Sequence, residues 1–186
     1  MKCIPFSELK TERLYLRRLV ESDWEVISYL RTDKEVNKLV KRPNADTKDK
    51  AIDFIEKTIE GIDTGKIYYW CISLKTRPDM IGSICLWNIS EDRKTAETGY
   101  DLSPEYQRKG IMQEAMQCVL DFGFKTLHLK MIEAYTHKKN EPSKNLLVRN
   151  NFILNKKRKD RDNKDNAIYE KVSNSSIATG RRDHQK

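Results

Sequence analysis

Residues 100–116 read YDLSPEYQRKGIMQEAM, and they carry the chain from an apolar, strand-like run through a polar loop into a helical pattern. Gln107, Arg108, Lys109 and Gly110 fall at the junction, so two cations and a glycine stand where a helix begins. A helix N-terminus leaves backbone amides unpaired and carries about half a positive charge, which suits it to an anion. Gly110 would let a ligand approach the backbone, and Arg108 and Lys109 would add charge. The same string also fits a plain polar turn, and the local pattern does not separate the two readings.

Working outward, Thr95–Leu102 is the predicted strand that enters this loop. Ile67–Leu74 and Met80–Ile89 are two further strands, separated by the turn-forming string KTRPD, and Ser90–Lys94 is a second polar turn. Such short connections imply an antiparallel meander. Earlier, Leu14–Leu19 reads as a short strand, and Ser22 to Glu25 reads as a capping box opening a helix that carries Trp24, Ile27 and Leu30 inward. Asp46 or Thr47 opens a second helix, with Ile52, Ile55, Ile59 and Ile62 on one face. After the loop, Ile111–Leu127 reads as a helix, Leu127–Thr136 as a strand and Ser143–Asn150 as a short helix. Phe152–Leu154 and Ala167–Val172 form a final hairpin through Asn163–Asn166.

The order is β-α-α-β-β-β-α-β-α-β-β. It implies a mixed α/β fold, a mostly antiparallel sheet with flanking helices, in which residues 95–136 form the parallel crossover. Ligands of such sheets bind at the carboxyl ends of strands, at the mouth of such a unit. The opening stretch lies there.

A chain of 186 residues is long enough for one domain that covers both faces of a sheet. The expected division is a folded domain over residues 1–172 and a disordered tail over 173–186, where SNSSIATGRRDHQK has little to bury. No run of eighteen apolar residues occurs, and the opening MKCIPFSELKTERL lacks a signal-peptide core, so a soluble cytoplasmic protein is expected. Cys3, Cys71, Cys85 and Cys118 form no C-x-x-C pair, and His128, His137 and His184 show no ligand spacing, so no metal site is argued. The net charge is +8; residues 153–186 hold ten Lys/Arg and five Asp/Glu, or +5, and the remainder +3. The basic cluster KKRKDRDNKD is interleaved with acids and has no aromatic neighbour for base stacking, so a solvated loop is favoured over nucleic-acid binding.

The run AETGYDLSPEYQRKGIMQEA, taken with NEPSKNLLVRNNF at 140–152, resembles the GNAT superfamily of acetyl-CoA-dependent N-acetyltransferases, and more closely its RimJ/RimL branch, which acetylates ribosomal-protein N-termini. The resemblance extends from about Leu9, where LKTERLYLR is a typical opening, to about Val172. Gln107 and Gly110 match the family's Q/R-x-x-G-x-G/A motif, whose last small residue is here Met112. The resemblance implies that the amides of Gln107, Arg108, Lys109, Gly110, Ile111 and Met112 hold the pyrophosphate of acetyl-CoA. It also implies that the backbone at Asp101 and Leu102 pairs with the pantetheine arm, that Asn140 bonds the cofactor nearby and that Lys144 reaches a phosphate.

Acetyl transfer needs a neutral amine, a stabilised oxyanion and a protonated leaving thiolate. Glu97, on the strand before the cradle, is the first candidate general base, with a solvent-facing or ion-paired strand Glu as its equal alternative. Leu102 would donate its amide to the acetyl carbonyl, as the resemblance implies. Many relatives place a tyrosine seven residues after the Asn as general acid, and here Leu147 stands there. RimL-type relatives place a serine three residues after it, which matches Ser143; Pro142–Ser143 also reads as ordinary helix-entry chemistry. The carboxylate that RimL-type enzymes take from the C-terminal segment has no clear counterpart among Asp160 and Asp162. Tyr68, Tyr69 and Trp70 read as core before pocket, and the basic loop 40–45 hints at an acidic acceptor. The expected acceptor is a protein N-terminal amine. A small amine, a non-catalytic acyl-CoA-binding module and a homodimer are the alternatives left open.

Overall fold

The computed structural model describes residues 4–173, so the predicted tail beyond Ser173 lies outside the described residues. In chain order the elements are β1 (Leu9–Lys10), β2 (Leu14–Arg18), α1 (Trp24–Thr32), α2 (Lys34–Asn37), α3 (Lys48–Asp63), β3 (Tyr68–Leu74), β4 (Arg77–Trp87), β5 (Thr95–Leu102), α4 (Ile111–Asp121), β6 (Met131–His137), α5 (Glu141–Arg149), β7 (Ile153–Leu154) and β8 (Asn166–Val172). They build one eight-stranded sheet in the order β1-β2-β3-β4-β5-β6-β8-β7. Every neighbouring pair is antiparallel except β5–β6. This is the mixed α/β architecture expected from the element order.

The sheet is organised around β3, whose sequence YYWCISL is aromatic and β-branched and is buried on both faces. Tyr68, Trp70 and Ile72 join Leu14, Leu16, Ile84 and Leu86 beneath α4, which contributes Ile111, Ala115, Met116 and Val119. Tyr69 and Cys71 face the other way, onto Ile27 and Leu30 of α1 and Ala51, Ile55 and Ile62 of α3. The aromatic run of β3 is therefore core: Trp70 is fully buried, donates its indole N–H to the Ser7 carbonyl at 2.8 Å and meets Phe122 edge-on.

Several boundaries differ from the sequence reading for identifiable reasons. The capping box expected at Ser22 and Glu25 does not form, because α1 starts without a side-chain cap. Instead Asp23 takes the backbone N–H of Val20 at 3.0 Å and a two-pronged hydrogen bond from Arg17 at 2.6 and 2.8 Å. The turn in KTRPD occupies Lys75 and Thr76 only, and Pro78 lies inside β4, where a register shift between Ile72 and Leu74 leaves it out of the ladder. The helix over 111–127 ends at Asp121 and widens into a π turn at Phe122–Thr126, with the Leu127 amide bonded to the Phe122 carbonyl at 3.0 Å. As a consequence β6 starts at Met131, not Leu127. The last helix starts earlier than expected, at Glu141, because Asn140 caps it.

Asp23 is 6% exposed and carries both the Arg17 pair and the turn into α1. Removing one partner strands a buried charge, so Asp23→Ala is expected to cost about 3 kcal/mol of folding stability. The urea-denaturation midpoint measures this, and a loss below about 1 kcal/mol would contradict it.

Candidate active site

The parallel strands β5 and β6 share three rungs: Thr95 with Met131, Ala96 with Ile132 and Glu97 with Glu133. Beyond Glu97, β5 stays paired with β4 as far as Leu102 opposite Gly82, and β6 stays paired with β8 as far as His137 opposite Asn166. Each strand follows its outer neighbour, so the two halves of the sheet part after Glu97. Asp101 and Leu102 therefore present a strand edge to the gap, with no ladder partner on the β6 side.

Past Leu102 the chain turns through a short 3-10 segment, Pro104–Tyr106, into α4. The Gln107 side chain holds this turn by donating to the Leu102 carbonyl at 2.9 Å, while the Gln107 amide is taken by the Pro104 carbonyl at 3.2 Å. Arg108 and Gly110 both adopt left-handed backbone, at φ of 60° and 74°. Gly110 is the N-cap of α4, and the Glu114 amide bonds back to its carbonyl at 3.1 Å. The amides of Ile111, Met112 and Gln113 precede that bond, as at any helix start. A cradle thus begins after Gln107.

Sequence reasoning missed Arg13. It reaches from β2's approach to the Lys109 carbonyl at 3.0 Å and to the Glu114 carboxylate at 2.6 Å, and its backbone N–H also donates to Glu114 at 2.9 Å. An anion at the cradle would otherwise meet the Glu114 charge, which Arg13 offsets. A Cβ built on Gly110 would lie 3.4 Å from the Arg13 guanidinium. The conspicuous Lys109 sits instead over the Tyr106 ring, 5.6 Å from its centre.

A chain of hydroxyls crosses the gap from the opposite side. Ser143 is buried, its amide donates to the Asn140 Oδ1 cap at 3.2 Å, and its Oγ lies 2.8 Å from the Tyr100 hydroxyl. Thr136 of β6 donates to the same Oγ at 2.8 Å. Burial pushes the Tyr100 phenol up to about 12, against the opposing Ser143 hydrogen bond. Thr98, one rung beyond Glu97 and on the Tyr100 face of β5, has a buried hydroxyl with no hydrogen-bond partner among the described residues. Lys144 turns back to Glu141 at 2.7 Å and the Lys138 carbonyl at 3.2 Å. Leu147 is buried in the core.

Alternation along β5 puts Glu97 on the face opposite Tyr100. There a single row crosses four strands: Trp87, Glu97, Glu133 and Glu170 are successive register partners. Burial raises the Glu97 carboxyl from 4.5 to about 7; the Glu133 and Asp160 charges add to this, and an Asn88 hydrogen bond opposes it. The basic loop 40–45 does not offer Arg42 to an acidic acceptor. Arg42 is bound to Asp101 at 2.6 Å, to Asn37 at 2.7 Å and to the Leu30 carbonyl at 2.6 Å, and Ser83 donates to the other Asp101 oxygen at 2.7 Å.

Residues 13–153 match the family model for the acetyltransferase (GNAT) domain. The chain belongs to the GNAT acetyltransferases. It is 33% identical over 139 residues to "Uncharacterized N-acetyltransferase p20" of Bacillus licheniformis, covering 75% of this chain and 78% of that one. The ribosomal-protein-S5-alanine acetyltransferase of Vibrio fischeri superposes with a TM-score of 0.76 at 21% identity, over 90% of this chain and 97% of that one. Microcin C7 self-immunity acetyltransferase MccE, solved with acetyl-CoA and AMP, superposes with a TM-score of 0.74 at 22% identity, over 88% and 94%. The fold agrees with the RimJ/RimL-like resemblance. The GNAT model spans the parting strands, the cradle and α5 together. Among the described residues no helix is long and apolar enough to cross a membrane.

The raised Glu97 carboxyl has a consequence for stability. A carboxyl held above its ordinary 4.5 contributes stability that is fully present below pH 4.5 and is lost as pH rises through about 7. Glu97→Gln is therefore expected to melt higher than the parent at pH 8 and at the same temperature below pH 4.5. Equal melting temperatures at both pH values would contradict the burial of this charge.

Proposed function

We propose that this GNAT enzyme transfers acetyl from acetyl-CoA to a protein N-terminal α-amine, in the cytoplasm and by direct transfer in a ternary complex. The observation that carries the reading is the position of Glu97 on the last rung before β5 and β6 part, with a helix-start cradle at the far end of β5. The residues fit acetyl-CoA: Gly110 adds no side chain to the cradle, the β5 edge at Asp101 and Leu102 has no ladder partner on the β6 side, and Thr98 holds a buried hydroxyl without a partner among the described residues. The amides from Arg108 to Met112 would hold the pyrophosphate, with Arg13 offsetting Glu114, and Asn140 would bond the cofactor near the pantetheine. Lys144, anchored to its own helix, would add charge at a distance. When bound, acetyl-CoA supplies the activated acyl group.

The chain's own residues do the rest. Glu97, half ionised near neutral pH, takes a proton from the incoming ammonium, which suits a base working close to its own pKa. The Leu102 amide polarises the acetyl carbonyl. From the other face Ser143 gives a proton to the leaving sulfur while its Oγ takes the Tyr100 phenol proton across their 2.8 Å contact, and the Tyr100 phenolate, with its raised pKa, is at once reprotonated from solvent. Base and acid thus address the gap from opposite sides of the sheet, and neither displaces the other.

A second reading, a small cationic amine as acceptor, is favoured by the Asp160 carboxylate beside Glu97. An acceptor screen separates the two: higher kcat/KM for N-terminal peptides than for polyamines, amino acids or aminoglycosides supports the first, and the reverse supports the second. CoA binding without turnover on any amine would refute both. Glu97→Gln is expected to lower kcat about 100-fold with little change in CoA affinity. The parent's kcat profile should show an acid limb near pH 7. Gly110→Asp places a charged side chain on a left-handed residue in the cradle and should weaken CoA binding at least about tenfold. Unchanged affinity would remove the cradle from the account.

A further inference from the structure

The segment after β7, read from sequence as a solvated basic loop, is folded back onto the sheet. Asn155 Oδ1 accepts the amides of Lys157 and Arg158 at 2.9 and 3.0 Å, and its Nδ2 donates to Glu170 at 2.8 Å. This turn fixes Arg158 over the carboxylate row. One guanidinium nitrogen of Arg158 donates to Glu133 Oε1 and, at 2.7 Å, to Glu170; the other donates to Glu133 Oε2 at 3.1 Å and to the Tyr135 hydroxyl at 2.9 Å. Tyr135 in turn donates to Glu133 Oε2 at 3.0 Å. Glu133 is 8% exposed and stands directly opposite Glu97 across the parallel rung, about 5 Å away between strands.

We propose that Arg158 is a positioning residue for the acetyl-transfer base: by clamping both oxygens of Glu133, it offsets that carboxylate's charge beside Glu97 and so sets the pH at which Glu97 can accept a proton. The inference rests on Glu97 as the base. The clamp is two-pronged, as a planar guanidinium permits and a lysine ammonium does not. The charged and titratable groups around Glu97 are Glu133 from β6, Asp160 from the segment after Arg158, Cys85 from β4 and Tyr135 from β6, with Asn88 hydrogen-bonded to it. Arg158 is the cation bound into this group, and it reaches Glu97 through Glu133. Burial raises the Glu97 carboxyl and Glu133 adds to it, and the clamp limits that second contribution by placing a cation on Glu133.

The test is the pH profile of kcat in the full chain, with saturating acetyl-CoA and one acceptor throughout, so that the acceptor's own ionisation is common to every variant. Arg158→Gln releases Glu133 and should move the acid limb about one pH unit upward, with a loss of about tenfold at pH 6.5 that closes by pH 9. Arg158→Gln combined with Glu133→Gln removes both charges and should return the limb to the parent position or below. Arg158→Lys keeps the charge without the fork, and should give an intermediate limb even if the Gln variant folds poorly. An unmoved limb in both single variants, a uniform loss at all pH values, or a shifted limb that the double variant does not restore would each overturn the proposal. Full activity in Glu97→Gln is a different failure, because it removes the base itself and leaves the clamp without a target.

Discussion

The arrangement depends on one constraint: β5 and β6 run parallel and hydrogen-bond for three rungs only. A strand in mid-sheet normally satisfies backbone groups on both sides, and here two strands each give up one partner from the same point onward. What they gain is an edge inside the molecule. The edge is held open by the outer ladders, since β5 is fastened to β4 and β6 to β8 beyond the parting. Tyr100 and Ser143 bridge the gap from one face without closing it, because they meet through side-chain oxygens 2.8 Å apart.

The same parting decides the electrostatics. Glu97 is the last residue still in the ladder, so its backbone is fixed while its side chain stands at the lip. Its neighbours in the row are an indole, a carboxylate and a second carboxylate, and burial outweighs the single hydrogen bond from Asn88. Such a position is unfavourable for folding above neutral pH. Asp101, four residues farther on the same face of β5, is treated in the opposite way, with Arg42 and Ser83 bound to its oxygens. Two carboxylates on one strand face therefore differ through their partners: Asp101 is committed to holding a loop, and Glu97 keeps a raised carboxyl, the property on which its proposed role as base rests.

Much of this was legible in the sequence where the signal is local. The apolar run of β3, the 3.6-residue periodicity of α3 and α4 and the glycine before α4 each name their own structure, and the short turns between them require the antiparallel meander. The end of α4 was not legible: Leu127 and Leu129 are apolar enough to continue either a helix or a strand, and the π turn at Phe122–Thr126 ahead of them sits where Gly123 approaches Ile132 and Leu86 too closely for a side chain, a contact across the fold. Nor were Arg13 and Arg158 legible, since each acts on residues far away in the chain that only the folded sheet brings near. The basic cluster at 156–161 illustrates the point, because composition describes its charge and not the single guanidinium that lies across Glu133 and Glu170.

Glu97, the residue that closes the parallel ladder, carries a carboxyl displaced toward neutrality. Site-resolved carbon-13 NMR of the Glu97 side-chain carboxyl in the ligand-free protein, followed from pH 3 to pH 9, reads that property without reference to any substrate. A titration midpoint near 7 is the predicted result. A midpoint at the ordinary 4.5 would mean that Glu97 is not displaced, and the proposed base would then lie elsewhere along the gap.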